Sequence, residues 1–247
     1  MGANEKGSSL TELASLLDLP IGTVHRLLQH LIRRGYVEQD STSKLYFLGL
    51  RVLVLRGQAI RAVQLAARAR PFLRELTSAS NCLSHLAVYR DGQVVYVDRV
   101  ETLNTAAMFE PAGRRVPAHS VALGKVLLAG LPAQELETFL TDTRFVKFTP
   151  NTLVEPKQLR EHLEIVRERG YALDLQEANL GVWCVAAPIR DYTGRVIAAI
   201  SISMREQPSQ KRLDTLIPLV TDTALCISKE LGFQTSSSQA LLDLAIR

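Results

Sequence analysis

The stretch Ile200-Ser201-Ile202-Ser203 carries residue types suited to holding a small polar molecule. In a strand, successive side chains alternate faces, so Ser201 and Ser203 share one face and Ile200 and Ile202 the other. Val182-Trp183-Cys184-Val185 alternates in the same way, with Val182 and Cys184 together. Two hydroxyls and a thiol projecting into one concavity would bind a polar ligand. An ordinary sheet face reads the same way. Asp174 lies between Leu173 and Leu175, and a carboxylate in apolar surroundings needs a partner or solvent. A surface salt bridge is the plainer expectation, a ligand hydroxyl the other.

The same residue types admit a catalytic alternative, with Cys184, His119 and Asp174 as a nucleophile set. Nothing in the spacing brings the three together. The chain has no GxSxG elbow, no HExxH and no phosphate-binding glycine loop, and Gly22 and Gly35 read as helix punctuation. An enzyme using Cys184 is therefore kept only as the alternative reading.

These residues require a sheet to hold them. Leu83–Tyr89 and Gln93–Val100 alternate around Asp91-Gly92, a hairpin signal. Trp183–Pro188 and Val196–Met204 read as strands joined through Asp191-Tyr192-Thr193-Gly194. Ala122–Leu131, Pro156–Arg169 and Lys211–Leu231 read as helices. The sum is an α+β domain with an antiparallel sheet.

A second chemistry sits near the start of the chain. Ser9-Leu10-Thr11-Glu12 fits a capping box, and Leu10, Leu13, Ala14 and Leu17 follow at helical spacing. Pro20 opens another helix, in which Val24, Leu27, Leu28, Leu31 and Ile32 form one face and Gly22, Arg26, Gln29 and Arg33 the other. Gly35 ends it. Tyr36-Val37-Glu38 and Lys44–Leu48 then flank the polar turn 39–43 as a hairpin. Helix, turn, basic helix and hairpin make a winged helix-turn-helix. A helix over Leu50–Leu65 follows and leads into Ala66–Thr77, interrupted at Pro71.

Charge supports a polyanionic partner. Residues 1–70 hold ten Lys+Arg against five Asp+Glu, so the net +4 of the 247 residues arises in the first quarter. Three unpaired cysteines, Cys82, Cys184 and Cys226, argue against a disulfide framework or structural zinc. No apolar run spans a membrane and no signal peptide opens the chain, so a cytoplasmic protein without cofactor or metal is expected.

Three stretches in order carry a resemblance: "LTELASLLDLPIGTVHRLLQHLIRRGYVEQD", "GRRVPAHSVALGKVLLA" and "GYALDLQEANLGVWCVAAPIRDYTGRVIAAISIS". Over residues 9–233 the chain resembles the IclR family of bacterial transcriptional regulators. The resemblance implies a winged helix-turn-helix over residues 1–49 and a linker helix over 50–66. A GAF- or profilin-like effector domain over 67–233 and a tail over 234–247 complete the plan. It further implies a repressor of a catabolic operon, binding a pseudo-palindromic operator as a homodimer or homotetramer and sensing a small carboxylate.

Carried over residue by residue, Asp174, Cys184, Ser201 and Ser203 would form the polar side of the effector pocket, and Met108, Val116 and Val182 its apolar wall. Amides near Ala122 and Leu123 would hold the carboxylate, as helix N-termini attract anions. Thr23 and Arg26, with Gln29, would reach base edges, while His25, Arg33, Arg34 and Lys44 would hold phosphates. The chain departs from the family in three places. Only eight residues precede Ser9 where relatives carry a further helix, so Leu10, Leu13 and Leu17 are expected to lack a packing partner and DNA binding to weaken. A ligand sensor without DNA binding is the corresponding alternative. Ile21-Gly22 replaces a common Lys-Ser pair, and Ala122 and Leu123 are bulkier than in some relatives.

Overall fold

The computed structural model describes residues 7–102 and 113–234, with only the course of the backbone over 52–62. Met108 and the segment Leu241–Ile246 read as a short helix lie outside the described residues. The chain divides into two compact units, one ending at Arg61 and the other beginning at Ala62.

The first unit opens with α1 (Leu10–Leu17). Its capping box forms in both directions: Glu12 N donates to Ser9 Oγ at 3.2 Å and Ser9 N to the Glu12 carboxylate at 2.8 Å. α2 (Ile21–Arg33) follows Pro20, and Gly35 leaves it with a φ of +73°, a conformation glycine adopts without strain. β1 (Val37–Gln39) pairs antiparallel with β2 (Tyr46–Leu48). Asp40 shapes the intervening turn by accepting from Thr42 N, Ser43 N and Ser43 Oγ. Leu13, Ala14, Val24, Leu28, Val37 and Tyr46 form the core.

That core is narrower than the sequence suggests. Val24 and Leu28 are buried and Ile32 partly so, but Leu27 and Leu31 are 49% and 40% exposed. At about 100° per residue the α2 apolar stripe is wider than the sector α1 and the hairpin cover. On α1, Leu13 is buried and Leu17 is 52% exposed.

α3 (Arg51–Ser80) is one continuous helix, which corrects the interruption expected at Pro71. Proline removes one intrahelical hydrogen bond. Leu65, Ala69, Leu73 and Leu76 nevertheless bury at helical spacing in the core of the second unit, and that packing outweighs the local defect.

The second unit is built on a six-stranded antiparallel sheet in the order β5-β4-β3-β8-β7-β6. Its strands are β3 (Leu83–Arg90), β4 (Gln93–Val100), β5 (Arg115–Pro117), β6 (Ala172–Leu175), β7 (Trp183–Arg190) and β8 (Val196–Met204). Asp91 and Gly92, both with positive φ, turn β3 into β4 as the hairpin signal requires. One face packs against α4 (Ala122–Ala129), α5 (Ala133–Asp142) and α6 (Pro156–Arg169). The other packs against the C-terminal part of α3 and against α7 (Gln210–Glu230). β5 and β6 are too short to show a period in the sequence; α5 was legible, with Leu136, Phe139 and Leu140 at helical spacing, and the sequence reading passed over it. Among the described residues, no helix is long and apolar enough to cross a membrane, and no cluster of three metal-ligating side chains occurs.

Candidate functional site

Register places the polar residues of three strands side by side. Asp174 on β6 opposes Cys184 on β7, Cys184 opposes Ser203 on β8, and Ser203 opposes Leu83 on β3. The neighbouring row runs Ala172, Ala186, Ser201, His85 and Arg99. Directly opposed residues of an antiparallel pair project to the same side. Asp174, Cys184, Ser201 and Ser203 therefore share one face, and α4 packs on that face. Cys184 Sγ and Ser203 Oγ are 3.1 Å apart.

α4 brings further groups. It begins at Ala122 and Leu123, both buried, after Val121, which supplies no side-chain cap. The first-turn amides of a helix are its orphan donors. Val116, half-buried on β5, packs against the same core, and Val182 is half-buried just before β7. Gly124 permits the helix to approach the preceding 3-10 turn at Ala118–Ser120, since a Cβ there would lie 1.9 Å from the Ala118 carbonyl oxygen.

Lys125 was not foreseen as a site residue. It is completely buried, and its Nζ donates to Glu177 Oε1 at 2.5 Å. Glu177 follows β6, and its carbonyl accepts from Thr152 Oγ1 at 2.7 Å and Thr149 Oγ1 at 3.2 Å. The ion pair thus ties α4 to the segment that carries Asp174. A lysine inside the apolar run from Val121 to Ala129 is the signal that sequence reading could have used: a buried charge needs an opposite charge.

Asp174 is 2% exposed, and the surface salt bridge expected as the plainer reading does not form. Its Oδ1 instead accepts from Glu177 N at 2.7 Å. Burial pushes its carboxyl up to about 7, a shift the Glu177 amide opposes and the Glu177 charge increases. Near neutral pH it can therefore donate a proton in a hydrogen bond as well as accept one. Burial, with the Asp174 charge beside it, also pushes the Cys184 thiol up, which disfavours a thiolate nucleophile. His119 Nε2 lies 3.0 Å from the Val146 carbonyl, and its ring packs between Phe145 and Phe148. Its Nδ1 has no hydrogen-bond partner, and no hydrogen bond joins the ring to Cys184 or Asp174 among the described residues.

In the first unit, Arg26, Gln29 and Arg33 lie within about 60° of one another around α2, opposite Val24 and Leu28. Arg26, His25, Arg33 and Arg34 are exposed and Thr23 and Gln29 half-buried. Arg33 Nη2 is 3.0 Å from His30 Nδ1. Arg34 is at the opposite end of α2 from Thr23, and its carbonyl accepts from Arg51. Lys44 is exposed at the hairpin with a φ of +59°, and Asp40 fixes its backbone.

Comparison with known proteins agrees with both units. Residues 1–41 match the IclR helix-turn-helix domain, and residues 57–229 match the bacterial transcriptional regulator IclR C-terminal domain. The chain is 35% identical over 231 residues to the HTH-type transcriptional regulator BhcR of Paracoccus denitrificans, covering 94% of this chain and 82% of that one. It is 35% identical over 228 residues to the HTH-type transcriptional repressor AllR of Escherichia coli, covering 92% and 84%. The solved IclR of Thermotoga maritima superposes with a TM-score of 0.72 at 28% identity, over 93% of each chain.

Proposed function

Because this chain belongs to the IclR family of bacterial transcriptional regulators, and so is a DNA-binding regulator and not an enzyme, we propose that it is a repressor whose grip on its operator responds to a small organic acid. The observation that carries the effector reading is the shared sheet face of Asp174, Cys184, Ser201 and Ser203, on which α4 packs. The acid's carboxylate would take the amides at Ala122 and Leu123, with a protonated Asp174 donating to it or to a neighbouring oxygen. Cys184, Ser201 and Ser203 would line the floor, and Val116 and Val182 the wall.

Residues 1–49 would bind DNA, residues 50–66 would link, and residues 67–233 would sense. Thr23 and Arg26, with Gln29, would read base edges in the major groove, and His25, Arg33, Arg34 and Lys44 would hold phosphates. Two copies would read a pseudo-palindrome, with pairing into a tetramer through the sensing domain. The acid's unequal affinity for the DNA-bound and free arrangements limits how far it can shift binding.

The test is fluorescence anisotropy on labelled DNA from upstream of the gene, with competitor DNA, two salt concentrations and a panel of carboxylates. Specific, salt-sensitive binding shifted by one acid is expected; weak binding equal on every DNA defeats the reading. Two variants separate the halves. Asp174→Ala should abolish the response to the acid and leave DNA affinity unchanged, and an intact response removes Asp174 from the pocket. Arg26→Ala should weaken specific binding by about 1–3 kcal/mol and relax preference at one base position. A uniform loss on all sequences would make Arg26 a phosphate contact.

A further inference from the structure

His85 on β3 is 3% exposed, and neither ring nitrogen has a hydrogen-bond partner. Most buried polar groups are paired, so an imidazole left unmet at both ends needs an explanation. Its position supplies one. His85 directly opposes Ser201, one row from Ser203 and Cys184, on the face that carries Asp174. Ser201 beside it is buried as well, at 2% exposure. Ala186 and Ala87 flank this pair with small side chains, and Tyr96 closes one side, its ring edge-on to the imidazole at 5.1 Å. A residue kept for packing alone at this place would be apolar, because Leu or Phe fills the space without two unmet polar atoms.

Desolvation, with the Arg99 charge next in the row, pushes the imidazole down to about 4. The ring is therefore neutral near pH 7, offering one N–H donor and one bare nitrogen acceptor. That combination matches a hydroxyl, which gives and takes a hydrogen bond. The first turn of α4 and Asp174 are suited to an anion instead.

We propose that His85 is a specificity-determining residue of the effector pocket, hydrogen-bonding a hydroxyl at the end of the effector remote from its carboxylate. The effector is then a hydroxy acid, not a plain carboxylate. This rests on the pocket proposed above and adds a residue and a ligand class to it.

The test is calorimetric titration of the full chain with acids matched except for one hydroxyl. The pairs are 3-hydroxypropionate against propionate, 4-hydroxybutyrate against butyrate and 4-hydroxybenzoate against benzoate, with succinate as a dicarboxylate control. At least one hydroxy acid should bind about tenfold or more tightly than its deoxy partner. His85→Leu should bring that ratio near one, chiefly by weakening the hydroxy acid, while His85→Gln keeps part of the preference. The unliganded His85→Leu protein should melt no lower than the wild type, since it loses two unmet polar atoms.

A ratio unchanged by His85→Leu overturns the proposal. So does a wild type that prefers no hydroxy acid or favours succinate, or a His85→Leu protein that melts lower and weakens both partners equally. Binding without a His85-dependent preference defeats this inference alone. Failure of every acid to bind the wild type defeats the pocket with it.

Discussion

Lys125→Met should destabilise the second unit by about 3–5 kcal/mol, because it leaves the Glu177 carboxylate buried without its cation. Lys125 is completely buried and Glu177 is 5% exposed, so water cannot replace the lost partner cheaply. Glu177 Oε2 already has no hydrogen-bond partner, which leaves the carboxylate little reserve. Glu177→Leu alone should be costly for the reciprocal reason. The double variant, Lys125→Met with Glu177→Leu, should recover most of the loss, since apolar side chains of similar volume often replace a buried ion pair without penalty. Denaturant unfolding of the four proteins measures the coupling. Additive losses would mean that the pair does not act as a unit. The pair also joins α4 to the segment after β6. The double variant, though folded, should therefore respond more weakly to the acid.

Gly124→Ala should be the most disruptive single-methyl change on this face. The added Cβ would sit 1.9 Å from the Ala118 carbonyl oxygen and 2.6 Å from the Ala118 carbonyl carbon and Cα. These are backbone atoms, so no side chain can rotate away and α4 must move. Overpacking of this kind costs about 1–3 kcal/mol where side chains can yield, and a backbone clash belongs at or above the top of that range. The displacement would also shift the amides at Ala122 and Leu123. A reduced melting temperature and a lost effector response should therefore appear together. Gly22→Ala is the control. Gly22 lies in α2 with no atom within 4 Å of a built Cβ, so alanine there should raise stability by about 0.5–1 kcal/mol through helix propensity. Equal effects at the two glycines would refute the packing argument at Gly124.

Local rules made much of the architecture legible. The Ser9–Glu12 capping box, the Asp91-Gly92 turn and the helix over Pro156–Arg169 are each set by neighbours in sequence, and each forms as read. The pairing of Ser201 with Ser203 followed from the two-residue period of a strand, whereas Val182 lies just before β7, outside the strand that holds Cys184. That period also gave the candidate pocket face. Charge was legible only coarsely. The first 50 residues hold five basic and five acidic side chains, so the excess counted over residues 1–70 comes from the five arginines at 51, 56, 61, 68 and 70.

What the sequence by itself determined is which residues share a face; what only the tertiary structure decided is which faces meet. Strand and helix periods fix side-chain direction locally, and so gave Cys184, Ser201 and Ser203 as candidates, which the family resemblance joined with Asp174. Register between consecutive strands set Asp174 beside Cys184, and register between strands distant in the chain set His85 opposite Ser201. The pairing of Lys125 with Glu177, 52 residues away, arose from the packing of α4 on the sheet. Burial followed the same division. Leu27 and Leu28 are adjacent and equally apolar, yet one is 49% exposed and the other 4%. Pro71 should break a helix on local grounds, and the core around Leu65, Ala69, Leu73 and Leu76 keeps it whole. Energies that depend on burial and on opposite charge are set by long-range contact, and no local pattern contains them.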